Sequence, residues 1–516
     1  MFMPILNWIG KEAVVNHDKE VPFRLLKKVK TSSYGESSQN LIIHGDNLEA
    51  LKALMPYYQG QVKCIYIDPP YNTGNEGWVY NDKVNSPKIK KWLGKVVGSE
   101  SEDLCRHDKW LCMMYPRLKL LRDLLSDDGF IFISIDDNEM QNLKSIMDEV
   151  FQEDNYVTTF VWNKKNVVQN DARFTSVNHE YVLCYAKKIK DKKFNLLPRT
   201  KELDARYANP DNDPRGLWTS VALQAKSGSE SNLYEITFPN GVKWKPVSGT
   251  FPRLTKESLQ KAYEEGRLWF GKNGKNVPRL KKYLNEVKQG VVSNSILIPS
   301  EVGSTQEAKE TLKRVLEKNV FETPKPLSLI KRFVLLSCGK DAIVLDSFAG
   351  SGTTGQAVLD LNKNDDGNRK FILVELEDKV AKEITVERIK KSIEKYGYKD
   401  GFEYCELDKP LFNQEGQIEQ ECSFEQLATY IYFTETNTNI DRKAISGNFI
   451  GSYDETEYYL IFKEKGKNVL SKEFLKKLQK DNKRKVIYAD KCLIDERTLE
   501  KHRIQFKQIP YEVKVY

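Results

Sequence analysis

Metal-ligand spacing is missing from this chain. Its eight cysteines (Cys64, Cys105, Cys112, Cys184, Cys338, Cys405, Cys422 and Cys492) include no Cys-x-x-Cys pair, and its five histidines do not cluster with them. That distribution argues against a structural zinc site and for reduced thiols, so no metal is expected. No apolar run approaches the roughly 20 residues that cross a bilayer. The stretch Met1 to Gly10 also lacks the basic region and apolar core of a secretion signal. A cytoplasmic address without membrane attachment is the expectation. There is no G-x-x-x-x-G-K-[ST] loop either, and no helicase or nuclease motif is visible, so nucleic-acid cleavage by this chain alone is not expected. Internal repeats and low-complexity tracts are absent as well.

What remains is a globular composition. With 516 residues and 40% hydrophobic content, the chain can fold as about three domains around a large core. The net charge of +8 is unevenly spread. Residues 161–300 hold 25 Lys and Arg against 13 Asp and Glu, an excess of +12 that leaves the rest of the chain acidic. Such a central basic excess suits either a solvated face or a polyanion.

Strand and helix patterns alternate on both sides of this basic segment. Leu41 to Asp46 reads as a strand, and Asn47 to Met55 as the helix after it, with Asp46 and Glu49 at capping-box spacing. A second strand spans Cys64 to Asp68. Apolar residues at helical spacing cover Lys109 to Leu125, and Ser126-Asp127-Asp128-Gly129 then turns into the strand Phe130 to Ile135. Helix Glu139 to Phe151 and the strand pair Tyr156 to Trp162 and His179 to Tyr185 follow. The order resumes with helix Leu327 to Ser337, strand Ala342 to Asp346, helix Thr354 to Leu361 and strand Lys370 to Glu375. Near-continuous apolar strands alternating with helices predict an α/β fold, a parallel sheet covered on both faces. From about 190 to 318 the pattern breaks into short strands and Pro/Gly turns. The last hundred residues predict strand Tyr458 to Phe462, helix Lys472 to Gln479, strand Lys485 to Tyr488, helix Glu496 to Lys501 and strand Ile504 to Ile509, a small α/β region.

Two motifs carry chemistry. Asp68-Pro69-Pro70-Tyr71 follows the apolar run Cys64 to Ile67. The double proline ends the strand and sets a carboxylate and an aromatic ring at its carboxyl edge, where α/β sheets bind ligands. Asp68 and the Pro69 carbonyl can each accept one N–H of an exocyclic aromatic amine while Tyr71 stacks on the flat ring. The second motif is the strand and Gly-rich turn Val344 to Gly355. Its glycines let the backbone approach a ligand, and the helix start offers N–H groups. Asp346 would repel a pyrophosphate there but suits a cationic ligand, such as the amino-acid moiety of S-adenosylmethionine. Glu375 ends the next strand, 23 residues after Gly352, about where an acid grips ribose hydroxyls. Glu377 competes with it but lies beyond the strand end.

With its Asp-Pro-Pro-Tyr motif preceding its Phe-x-Gly-x-Gly motif, the chain resembles amino-methylating DNA methyltransferases of the permuted, beta-type order. It is most similar to the modification (Mod) subunits of type III restriction-modification systems. The likeness covers Asn40 to Leu51, Ile65 to Gly74, Lys109 to Phe151, His179 to Ala186, Thr323 to Leu336, Ile343 to Asn362 and Lys485 to Val513. It implies a Rossmann-like sheet that uses S-adenosylmethionine to methylate adenine N6 in double-stranded DNA, with the base flipped into the pocket. Asp68, Pro69, Pro70 and Tyr71 would form the target-adenine site. Phe348, Gly350, Ser351 and Gly352 would form the cofactor loop, with Asp346 beside it, Glu375 on the ribose and Asp46 near the cofactor's adenine. Lys325 would flank the cofactor at the helix entry Pro324-Lys325-Pro326. Ser347 departs from the usual Pro or Phe, where contact is mostly backbone.

The implied domains are 1–189 (catalytic half), 190–318 (target recognition), 319–404 (cofactor half) and 405–516 (C-terminal α/β region). Candidate DNA contacts in the second are Arg206, Arg215, Trp218, Arg267, Lys272, Lys275, Arg279 and Lys281. The family further implies a homodimer that recruits a helicase-nuclease (Res) subunit. Cytosine-N4 methylation, a nicotinamide-dependent oxidoreductase and a non-catalytic DNA-binding subunit are the alternative readings.

Overall fold

The computed structural model describes residues 5–35, 39–73, 94–96, 105–165, 167–168, 170, 172–190, 192–318, 320–411, 418, 422–463, 467–478 and 481–509. Gly74, Gln479 and residues 510–513, which belong to segments singled out in the sequence, lie outside the described residues. The chain forms two compact units, one of residues 1–194 with 294–516 and one of Asn195–Ser293.

A ten-stranded sheet organises the first unit. In chain order its strands are β1 (Arg24–Lys28), β2 (Leu41–His44), β3 (Val62–Ile67), β4 (Leu125–Ile135), β5 (Tyr156–Asn163), β6 (His179–Ala186), β7 (Ile296–Leu297), β8 (Ile343–Asp346), β9 (Lys370–Glu375) and β10 (Glu403–Pro410). They are arranged β1-β10-β2-β9-β8-β3-β4-β6-β5-β7. From β10 to β4 every neighbouring pair is parallel. Strand β6 runs antiparallel to both β4 and β5, the antiparallel pair that the sequence suggested, although β7 and not β5 forms the edge. Residues 126–129, expected as a turn, belong to β4 but bulge out of its register with β3.

Side-chain alternation places the core on both faces of this sheet. Ile65, Ile131, Ile133, Leu345 and Ile372 join a cluster with Leu48 of helix α1 (Asn47–Tyr58), Trp110 and Leu118 of helix α2 (Arg106–Leu124) and Ile146 of helix α3 (Met140–Phe151). Tyr66 and Phe132 face the other way and stack on Phe333 of helix α4 (Leu327–Ser337), with ring centroids 6.0 Å and 4.6 Å apart. A second sheet of four strands, Phe449–Tyr453, Thr456–Leu460, Arg484–Ala489 and Ile504–Gln508, forms the C-terminal region. Residues 403–410, placed by sequence partly in that region, are instead strand β10 of the large sheet.

The inserted unit has its own core of Leu223, Ile236, Phe238, Trp244, Leu259, Leu268 and Phe270. Its main sheet joins Trp218–Ala222, Arg279–Tyr283 and Leu268–Trp269. The unit ends at Ser293, not at the expected residue 318. The reason is local: β7 pairs with β5, and helix Thr305–Leu316 packs on helix Glu387–Tyr396, so both belong to the large unit.

Candidate active site

Because β2, β9, β8 and β3 are parallel neighbours, their carboxyl ends share one edge. Asp46, Glu375, Asp346 and Asp68 therefore line up along it, the position at which open α/β sheets bind ligands.

At the β3 end, Asp68 lies in a buried ionic cluster. The Lys325 ammonium donates to both of its oxygens at 2.8 Å and to the Tyr71 hydroxyl at 2.8 Å. That hydroxyl lies 2.9 Å from Asp68 Oδ1 and 3.0 Å from Glu180 Oε2. Glu180 also faces Lys325 at 3.3 Å and accepts from Lys164 at 2.9 Å. Two acids and two bases thus balance. Burial raises the Asp68 carboxyl above its ordinary range, only partly countered by Lys325. Burial also pushes Glu180 upward, but Lys325 and Lys164 more than offset it and hold this carboxyl below the usual value. For Lys325, burial disfavours the charge, yet Asp68 and Glu180 outweigh it and raise the ammonium. Burial, followed by the two carboxylates, keeps Tyr71 a neutral phenol.

The backbone of this segment is pinned from α2 and from the residue preceding α3. Trp110 Nε1 donates to the Pro70 carbonyl at 2.7 Å. Asn72, at a left-handed φ of 57°, donates to Arg106 O and to the fully buried Glu139.

At the β8 end, Asp346 accepts from Phe348 N at 3.0 Å and from the Thr354 hydroxyl at 2.6 Å. Burial, only partly opposed by these two donors, pushes its carboxyl up to about 7. The turn carries Gly350 and Gly352 at φ of 51° and 78°, a conformation that favours glycine. Glu375 accepts from Gly350 N and Glu377 N, both at 2.9 Å, which ties the turn to β9. From helix Glu387–Tyr396, the buried Arg388 donates to Ser351 and Thr353. Thr353 in turn donates to the Lys325 carbonyl at 3.3 Å. Lys325 therefore joins the two motifs, with its main chain on the Gly-rich turn and its ammonium on Asp68.

Asp46 caps α1 by accepting from Leu48 N and Glu49 N, and it also faces the buried Arg117. Neighbouring Asn47 donates to Ser347 O, so the β2 end is also fastened to the turn. Lys325, expected beside the cofactor, holds the Asp68 carboxylate in this structure. Glu180, Lys164, Trp110 and Arg388 were not singled out from sequence. A signal existed for Glu180, since a carboxylate at a buried strand position must have partners.

In the inserted unit, the candidate residues divide by exposure. Trp218 and Lys281 are buried: both contact Asp211, and Lys281 also pairs with Asp213 at 2.8 Å. Their burial against these acids departs from the exposed surface expected of DNA contacts, because a buried ammonium is held by its acids. Arg215 is bound to Asp213, and Arg267 forms a two-pronged pair with Glu286. Arg206, Lys272, Lys275 and Arg279 are exposed.

Residues 62–387 match the DNA methylase family. The StyLTI Mod subunit of a type III restriction-modification enzyme from Salmonella typhimurium is 38% identical over 68% of this chain and 54% of its own length. The EcoP15I Mod subunit of Escherichia coli is 32% identical over 72% of this chain and 64% of its own. The EcoPI Mod subunit of Escherichia phage P1 is 34% identical over 73% and 64%. The chain thus spans between about half and two thirds of the length of these relatives. With the match running over more than half of its residues, this chain belongs to the DNA methylase family.

Proposed function

We propose that the chain transfers a methyl group from S-adenosylmethionine to adenine N6 in double-stranded DNA, as the Mod subunit of a type III restriction-modification system. A homodimer and a helicase-nuclease Res partner belong to the same proposal; that the relatives are named as subunits of restriction-modification enzymes supports a partner. One observation carries the chemistry. The Lys325 nitrogen sits 2.8 Å from both Asp68 oxygens and 5.0 Å from the Tyr71 ring centroid, so the cradle already holds an N–H donor beside an aromatic face.

Asp346, buried and accepting from two neutral donors, Phe348 N and the Thr354 hydroxyl, suits a cationic ligand, which fits the sulfonium cofactor. Asp46, Asp346, Phe348, Gly350, Ser351, Gly352 and Glu375 would hold it, the acids on its amino group and hydroxyls and the turn against its body. When bound, it supplies a methyl group activated by positive sulfur. The protein's own part is alignment and electrostatics. Asp68 and the Pro69 carbonyl accept the two N–H groups of the flipped adenine and hold the nitrogen at the edge shared with Asp346. Tyr71 replaces the stacking lost from the duplex. Pro70, locked by Trp110, keeps the carboxylate and ring in register.

Incubation with tritiated S-adenosylmethionine and unmethylated duplex DNA, followed by identification of the modified base, tests this reading. N6-methyladenine is expected, and Asp68→Ala should abolish transfer while cofactor binding persists. Label in N4-methylcytosine, no label at all, or full turnover by Asp68→Ala would each refute it.

A further inference from the structure

In the cluster at the β3 end, the Lys325 ammonium occupies both oxygens of Asp68. A target amine needs at least one of them. Lys325 is buried, and an ammonium released there without an anion would pay the full cost of a desolvated, unpaired charge. Asp68 therefore cannot be vacated unless a second anion stands ready. Glu180 meets that requirement. Its Oε2 lies 3.3 Å from the same nitrogen, while its Oε1 is fixed by Lys164 at 2.9 Å. The Trp162 ring, 5.9 Å from the ammonium, adds an aromatic face on the β5 side. Trp162 is itself oriented by its Nε1 bond to Gly303 O at 3.0 Å.

We propose that Glu180 is a positioning residue for methyl transfer, taking over the Lys325 ammonium when a target amine claims Asp68. In this state the Lys325 nitrogen is a placeholder for the amine: it makes the same kind of hydrogen bonds to the same carboxylate over the same ring. Exchange moves the ammonium from one carboxylate to the other across an ångström-scale gap. The cluster keeps two acids and two bases throughout, so no net charge is newly buried. The Tyr71 hydroxyl, within 3.0 Å of both carboxylates, bridges the two positions. This inference rests on the adenine reading above.

A double-mutant cycle on the full chain tests it, with unmethylated phage DNA, tritiated S-adenosylmethionine and single-turnover rates. Glu180→Gln should slow transfer about tenfold or more when Lys325 is present, because the ammonium then stays on Asp68. In the Lys325→Met background the same substitution should cost less than about threefold, since no ammonium needs a second anchor. Glu180→Asp retains the charge and should stay within about fivefold of the wild type, which also covers the case of a poorly folded Gln variant. Equal losses in both backgrounds, or a Glu180→Asp variant as slow as Glu180→Gln, would overturn the proposal and leave the adenine reading intact. A wild-type reaction without labelled N6-methyladenine would overturn both.

Discussion

Asp346 gives the cofactor edge a pH signature of its own. Burial raises its carboxyl to about 7, so folding takes up a proton that the unfolded chain has already lost at neutral pH. The stability it permits is fully present below the ordinary carboxylate range and declines as pH rises to about 7, by an amount on the order of 4 kcal/mol. Asp346→Asn, which can keep one hydrogen bond to Phe348 N, should therefore raise the melting temperature of the ligand-free protein. That gain should grow from pH 5 to pH 7 and level off above. A cationic ligand has the opposite preference, because it favours the ionised carboxylate. Affinity for the cofactor analogue sinefungin should increase as pH rises through about 7, and Asp346→Asn should flatten that profile while weakening binding. Calorimetric titration at several pH values, with parallel melts, checks both; a pH-independent wild-type affinity would remove Asp346 from the cofactor site.

At the level of elements, the Asp-Pro-Pro-Tyr segment is as good as the helices that clamp it. Trp110 on α2 is fully buried and holds the Pro70 carbonyl through its indole N–H. Trp110→Phe keeps most of the packing but leaves that carbonyl without this donor, at a cost of roughly 1–3 kcal/mol. Denaturant unfolding should show that loss, and methyl transfer should fall further than cofactor affinity, since the Gly-rich turn is held elsewhere. Helix α4 and strand β9 begin and end where their apolar patterns say they should, at Leu327–Ser337 and Lys370–Glu375. Local pattern sufficed because β9 is a continuous apolar run, Phe371 to Val374, and α4 carries its apolar residues at helical spacing after Pro326. Strand β1 and the two-residue β7 escaped notice because pairing with β10 and β5, remote in sequence, is what makes them strands. The same holds in the site. Asp68 and Asp346 were legible because motif and strand end coincide, whereas the Lys325 link to Asp68 spans 257 residues and exists only in three dimensions. The burial of Trp218 and Lys281 was hidden for a related reason: a basic or aromatic side chain looks alike in sequence whether it faces solvent or closes on its own acids.

For the whole molecule, the inserted unit is separable in covalent terms. Leu197 and Val291 exchange two backbone hydrogen bonds, of 2.8 Å and 2.9 Å, so the two ends of the insert are already paired side by side. A short Gly-Ser linker can replace Asn195–Ser293 without stretching the chain that carries β6 and β7. The replaced segment must stop at Ser293, because a cut extended to 318 would remove β7 and helix Thr305–Leu316 from the large unit. Residues 195–293 hold 17 Lys and Arg against 10 Asp and Glu, and this excess with the exposed Arg206, Lys272, Lys275 and Arg279 places duplex affinity on this unit, on the proposed function. The linker variant should melt cooperatively and bind sinefungin within about threefold of the full chain, yet lose most salt-sensitive affinity for duplex DNA. A salt titration of fluorescence anisotropy measures this directly. If the slope of log affinity against log salt were unchanged in the variant, the phosphate contacts would lie on the large unit.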